Sequence, residues 1–254
     1  MAILQLNDMS LFFGGIKANQ NVSFTLEEGK LYGLIGPNGA GKSTIFNVIT
    51  GIYKPTKGSV SFQSKNTDGL APFELAQKGI GRTFQNIRLF KDLTVEANVM
   101  TSFFSSSKSS FVQNIFRTKA FLEEEELNRS RAHDLLKFMG LLENAQELAG
   151  SLPYGKQRKL EIARAMGLSP KLLLLDEPAA GLNPTETMEL TGLIKELKEK
   201  HKLTVLLIEH DMRLVMQICE YIYVLDHGEL ISQGEPNFVQ NDPKVVEAYL
   251  GVDE

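Results

Sequence analysis

The chain has 254 residues, 43% of them hydrophobic and 23% charged, which excludes a disordered chain and fits one or two globular domains with a sizeable core. A formal net charge of −4 supplies no general positive field, so any contact with nucleic acid or anionic lipid has to be local, and nucleic-acid binding is not expected. The single cysteine, Cys219, cannot form an internal disulfide and reads as a small buried apolar residue, which suits a reducing cytoplasm.

The opening "MAILQLNDMS" lacks a basic region followed by a long apolar stretch. No window reaches about 18 uninterrupted apolar residues either, so neither a signal peptide nor a spanning helix is expected. Up to Lys65, short apolar runs ("AILQL", "NVSFTL", "KLYGLIG", "KGSVSF") alternate with turn signals and predict strands, with one helix over 43–50. From Leu93 the character changes. After the low-complexity tip "SFFSSSKSS" a helical pattern takes its apolar positions from Phe121, Leu122, Leu127, Leu135, Leu136, Phe138 and Met139, and "EEEE" forms a solvated face.

After Gly167 the pattern becomes strand, helix, strand: "KLLLLDE", then Leu190, Leu193, Ile194 and Leu197 at helical spacing, then "TVLLIE". Runs such as "LLLL" suit strands buried on both faces, so the expected fold is α/β with a parallel sheet and covering helices. "YIYVLDHGELISQG" predicts a hairpin turning at Asp226 to Gly228, followed by a short helical tail, and no internal repeat is present.

Residues 36–43, "GPNGAGKS", follow the apolar "LYGLI" and open the helical "TIFNVIT", the context that G-x-x-x-x-G-K-[ST] requires. Gly36, Gly39 and Gly41, with Pro37, Asn38 and Ala40 between them, let backbone N–H groups wrap phosphates. The helix start, including Thr44, adds partial positive charge; Lys42 reaches the outer phosphates and the Ser43 hydroxyl takes a magnesium position. A glycine-rich turn carrying Lys-Ser by chance is the bland alternative, and the surrounding context weighs against it. A second acidic element is needed near the γ-phosphate, and "LLLLDEP" places Asp176 and Glu177 at the end of a buried strand, where open α/β sheets bind ligands. Asp176 is assigned to magnesium, through water, and Glu177 to polarising the hydrolytic water. Neighbours on a strand face opposite ways, so both reach one crevice only if the chain turns there. This much predicts a P-loop nucleoside triphosphatase using Mg2+; ATP as the nucleotide is implied by the family resemblance below.

"SLPYGKQRKLEIARAM" reads as a helix start, with Ser151 as cap and Pro153 in the first turn, but its Tyr-Gly pair places a glycine where a helix former would serve better. Three other stretches keep a fixed order around the two motifs: "RTFQNIRLF" with Gln85, "AAGLNP" with Asn183, and "LLIEHDM" with His210. Together, along essentially the whole chain, these resemble the ATP-binding subunits of ABC transporters. "LDEPAAGLNP", "LLIEHDMRLVM" and the ending "VVEAYLG" look closest to the ATPase subunits of branched-chain (hydrophobic) amino acid importers.

The resemblance implies a single ABC ATPase domain over 1–254, with a mostly parallel core sheet and an N-terminal antiparallel β subdomain in 1–92 and 151–254, and a helical subdomain in 93–150. It implies a head-to-tail pair of ATPase subunits, in which the helix start at Gly155 of one chain meets the γ-phosphate held by the other. Homodimer and heterodimer both fit. Phe13 in "LFFGG" matches the aromatic that stacks on adenine, with Phe12 or Phe13 as core the alternative. Gln85 matches the residue touching magnesium and the nucleophilic water, and His210 the γ-phosphate contact. Where the family pattern reads L-S-G-G-Q, this chain reads Leu152, Pro153, Tyr154, Gly155 and Lys156, departing at Pro153, Tyr154 and Lys156. Pro153 offers neither serine hydroxyl nor N–H, Lys156 is a hypothesis for phosphate contact, and Asn183 stands where aspartate is common. Integral membrane permease subunits and an extracytoplasmic substrate-binding protein are the implied partners, at the cytoplasmic face of the membrane. A lipid or lipopolysaccharide export ATPase and a soluble non-transport ABC ATPase are the competing readings.

Overall fold

The structure, a computed structural model, describes residues 1–103 and 118–250. Most of the serine-rich tip and Gly251 of the "YLG" ending lie outside the described residues. Strands β1 (Ala2–Phe13) and β2 (Ile16–Glu27) pair antiparallel around the Gly14 turn, and β4 (Lys57–Phe62) and β5 (Lys65–Asn66) extend them into a sheet of order β2-β1-β4-β5. The second sheet combines β3 (Leu31–Ile35), β6 (Ile80–Arg82), β7 (Leu172–Asp176), β8 (Thr204–Ile208), β9 (Tyr221–Asp226) and β10 (Glu229–Gly234) in the order β10-β9-β3-β8-β7-β6. From β9 to β6 its neighbours are parallel, and the β9–β10 hairpin closes one edge antiparallel.

Each central strand serves two cores, which explains its unbroken apolar run. Along β7, Leu173 and Leu175 face one apolar cluster while Leu172 and Leu174 face another; Val205 and Leu207 on β8 oppose Leu206 and Ile208 in the same way. The first cluster packs under α3 (Val95–Phe103), α4 (Lys119–Phe138), α5 (Tyr154–Gly167), α6 (Pro184–His201) and α7 (Met212–Ile218). The second is closed by α1 (Lys42–Ile49), α2 (Pro72–Lys78) and the antiparallel sheet. Helices α8 (Pro236–Gln240) and α9 (Pro243–Leu250) follow the hairpin.

One expectation is corrected in α4. Leu122 and Leu127 are 45% and 60% exposed rather than core, because burial along this helix begins only at Ala132 and continues through Leu136 to Met139. Cys219 is buried as expected, with burial pushing its thiol pKa upward. Because β3, β6, β7 and β8 run parallel, the segments leaving them emerge at one edge of the sheet, and those segments carry the sequence-predicted residues.

Candidate active site

The loop after β3 is shaped by backbone that only glycine adopts freely. Gly36, Gly39 and Gly41 have φ of 150°, 83° and 94°. A Cβ on Gly36 would sit 2.1 Å from the Leu225 carbonyl oxygen, and one on Gly41 2.5 Å from Asn19 Nδ2. Helix α1 starts at Lys42 with no side-chain cap, leaving its first amides free for an anion. Lys42 Nζ donates to the Gly36 and Pro37 carbonyls at 2.7 and 2.9 Å; burial lowers its pKa, opposed by the charges of Glu177 and Asp176. Ser43 is exposed at the same helix start.

Asp176 ends β7 in register with Ile208, and Glu177 then turns out of the strand with φ 48° while its amide donates to the Ile208 carbonyl. That left-handed residue resolves the facing problem of two adjacent carboxylates. Glu177 Oε2 accepts from Gln85 Nε2 at 2.9 Å, and Glu177 Oε1 lies 2.8 Å from His210 Nε2. Residues separated by 92 and 33 positions thus meet at one carboxylate. Asp176 is 4% exposed and paired with Arg82, whose Nη2 donates to Oδ2 at 3.2 Å; burial raises the aspartate's pKa against the opposing Arg82 charge.

Helix α5 presents a different kind of helix start. Pro153 is its N-cap residue, and Ser151 is not a cap: its hydroxyl donates to the Leu148 carbonyl at the end of a short 3-10 turn. Gly155 is buried, and a Cβ there would lie 2.7 Å from Glu186 Oε1. Lys156 Nζ donates to Asn144 Oδ1 at 2.9 Å, directing that charge to the helical region. Asn183 caps α6: its Oδ1 accepts from the Glu186 amide while Glu186 Oε2 accepts from the Asn183 amide, both at 3.0 Å. At the end of β1, Phe13 is 43% exposed and edge-on to Tyr53, with centroids 5.1 Å apart, whereas Phe12 is half-buried.

A family model described as ABC transporter matches residues 19–180. The chain belongs to the ABC transporter family. A second model, branched-chain amino acid ATP-binding cassette transporter, matches residues 229–254. This cassette is 46% identical over 249 residues to the high-affinity branched-chain amino acid transport ATP-binding protein LivG of Salmonella typhimurium, covering 98% of both chains. It is 44% identical to BraF of Pseudomonas aeruginosa, a protein of the same description, again with 98% of both chains covered. Among solved structures it is similar to the ADP conformation of the ATP-binding cassette MJ1267, with TM-score 0.86, 36% identity, and 99% of this chain and 100% of that one covered. It also resembles a dimeric post-hydrolysis state of the cassette MJ0796 bound to ADP and Pi, with TM-score 0.77, 28% identity, and 92% and 99% covered.

The cassette binds ATP, and the left-handed glycines of residues 36–41 followed by the uncapped start of α1 give the backbone a shape that suits phosphates. Among the described residues no three acidic, histidine or cysteine side chains gather to hold a metal alone. Ser43, exposed at the start of α1, and Asp176, at the end of β7, are oxygen donors of the kind magnesium takes, and together with water they would hold it. Magnesium, when bound, neutralises charge on the transferred phosphoryl group.

Sequence reasoning missed the charges that hold these segments in place. Arg82 donates to Asn47 and Thr50 besides Asp176. Glu209, 4% exposed, accepts from the amides of Ala179 and His210 and ties the segment after Glu177 to the one carrying His210; burial raises its pKa. Arg158 and Glu161 form a buried pair on α5. For Arg82, Glu209 and Glu161 the one available signal is a charged residue placed inside or at the end of an apolar run, as in "IGR", "TVLLIE" and "KLEIARA"; Arg158, in the polar run "GKQRK", carries none.

Proposed function

We propose that this cassette hydrolyses ATP with Mg2+ to drive import of branched-chain amino acids across a membrane. The observation that carries the catalytic part is the convergence of Gln85 and His210 on the two oxygens of Glu177. In this reading Glu177 polarises the attacking water, and His210 holds Glu177 and the γ-phosphate in line. Gln85 keeps its Oε1 for magnesium and the water while its amide nitrogen stays on Glu177. Ser43 and, through water, Asp176 hold the magnesium. Lys42, Thr44 and residues 36–41 cradle the phosphates, and Phe13 stacks on adenine. No covalent intermediate is needed, because positioning and electrostatics carry phosphoryl transfer to water.

The cargo assignment is supported by the match of residues 229–254 and by the names of the relatives. In a head-to-tail pair with a second ATPase subunit, Gly155 and its helix end meet the partner's γ-phosphate, with Asn183 beside that interface and Lys156 held to Asn144. Permease subunits dock around the Gln85 segment and the helical subdomain of 93–150, and an extracytoplasmic binding protein delivers the amino acid. Among the described residues no helix is long and apolar enough to cross a membrane, which agrees with a peripheral place on the cytoplasmic face through those permeases.

The test is recovery of the tagged chain from gently solubilised membranes, followed by uptake of labelled leucine, isoleucine and valine in cells with and without it. Co-recovery of polytopic subunits and loss of uptake on deletion are expected. Recovery without any membrane protein, or unaltered uptake of all three, overturns the importer reading.

A further inference from the structure

The residue of α5 that departs most in bulk from the family pattern is Tyr154, and its hydroxyl has a defined partner. Arg158 Nη2 donates to Tyr154 Oη at 3.1 Å and to the Gln85 carbonyl at 2.9 Å. The other terminal nitrogen, Nη1, donates to the Phe84 carbonyl and to Glu161 Oε2, both at 2.9 Å. Glu161 Oε1 closes the ring by accepting from the amides of Phe84 and Arg88 at 3.3 and 3.2 Å. The Arg158 side chain is fully buried and Glu161 is 4% exposed, so leaving either unpaired is costly and the arrangement moves as one piece. Residues 84–88 have no helix or strand of their own, and this buried pair anchors their backbone at four points.

One end of this unit is therefore Tyr154, adjacent to Gly155 at the start of α5. The other is Gln85, whose side chain reaches Glu177. In the head-to-tail pair proposed above, these ends belong to different ATP sites: Gly155 serves the nucleotide held by the partner, and Gln85 the nucleotide held by this chain. We propose that Tyr154, through Arg158, is a positioning residue that couples the two ATP sites by tying the start of α5 to the Gln85 segment. The inference rests on the two-site reading. It also gives the tyrosine of this signature variant a role that glycine lacks, since the hydroxyl supplies an acceptor on the α5 side of Arg158. The Tyr154 ring is held from the other side by Gly181, where a Cβ would come within 3.1 Å of Cε1.

The test uses the assembled complex recovered through a tag on this chain, with Tyr154→Phe, which removes one oxygen and keeps the ring against Gly181 and Arg158. ATP hydrolysis is measured against ATP concentration, together with nucleotide binding by the isolated chain and its melting temperature. For two coupled sites the wild-type Hill coefficient approaches about 2, and Tyr154→Phe is expected to bring it toward about 1 with kcat lowered about threefold to tenfold. Single-chain ATP affinity and melting temperature are expected to stay unchanged. Full cooperativity and turnover in Tyr154→Phe overturn the coupling while leaving the two-site reading intact. Earlier melting with weakened ATP binding in the isolated chain overturns it in favour of a structural role. A wild-type complex that hydrolyses ATP without cooperativity overturns the two-site reading and this inference with it.

Discussion

Helices α1 and α5 both start without a side-chain cap, yet they are prepared in different ways. The start of α1 follows a Gly41 at φ 94° and is wrapped by its own loop, with Lys42 folded onto the Gly36 and Pro37 carbonyls and Glu177 at the end of a nearby strand. The start of α5 follows an extended Pro153, sends Lys156 away to Asn144, and packs Glu186 against Gly155. The first carries, in the proposed reading, a phosphate cradle with its own cation, Lys42, and its own acid, Glu177. The second offers a helix end and a glycine, with Lys156 bound to Asn144, and in the proposed reading it completes a site whose nucleotide arrives on another subunit.

Substitutions that separate the two helix starts sharpen this difference. The largest effect is expected from Glu177→Gln, which leaves the α1 cradle intact and removes the base. Steady-state hydrolysis should fall about 10²- to 10⁴-fold while ATP-bound pairs of subunits accumulate, read by phosphate release and by size-exclusion chromatography with ATP. Unaltered turnover would remove Glu177 from its role. Next, Lys42→Ala should weaken ATP binding by the isolated chain about tenfold to a hundredfold, because a charge-assisted contact to phosphate is lost. Gly155→Ala should leave that single-chain affinity untouched and weaken ATP-driven association about tenfold, since its Cβ displaces Glu186 and crowds the helix end. Equal loss of single-chain binding in both variants would merge the two starts into one site.

A smaller effect follows from the raised pKa of Asp176, caused by burial and only partly opposed by Arg82. A raised carboxyl pKa keeps the proton to higher pH, so the ability to hold magnesium is present above the raised value and is lost as pH falls through it. The Mg2+ concentration for half-maximal hydrolysis should therefore climb as pH drops, starting above the ordinary carboxylate range, and a titration at several pH values checks it. The smallest effect belongs to Asn183→Ala. Loss of the α6 cap should cost about 0.5–2 kcal/mol of stability by thermal melting. The backbone amide of residue 183 still donates to Glu186 Oε2, so Glu186 keeps its place beside Gly155 and ATP binding by the isolated chain should be unchanged.

The strand, glycine-rich loop and helix of residues 31–49 were legible in the sequence, because the glycines, lysine and serine are contiguous and the strand before and helix after are both strongly patterned. The acidic pair was legible for the same reason. The helical region was read less well: Leu122 and Leu127 keep a helical spacing but are exposed, burial among the described residues being concentrated from Ala132 onward, and spacing alone does not reveal where the partner helices end. Ser151 failed as a cap because a 3-10 turn claims its hydroxyl first.

From the sequence alone came the strands, the glycine-rich loop and the candidate residues for ATP chemistry, since each depends on residues within one short stretch. Which groups touch was decided only by the tertiary structure. Gln85, Glu177 and His210 lie on three separate segments, and they meet because β6, β7 and β8 run parallel and release their loops at one edge. The partners of the buried charges were likewise decided by the fold: Arg82 meets Asp176, Glu209 meets the Ala179 amide, and the Arg158–Glu161 pair meets the backbone of residues 84–88. A charge is stable in a core only where distant backbone and side-chain groups satisfy it, and sequence spacing carries no record of those distant groups.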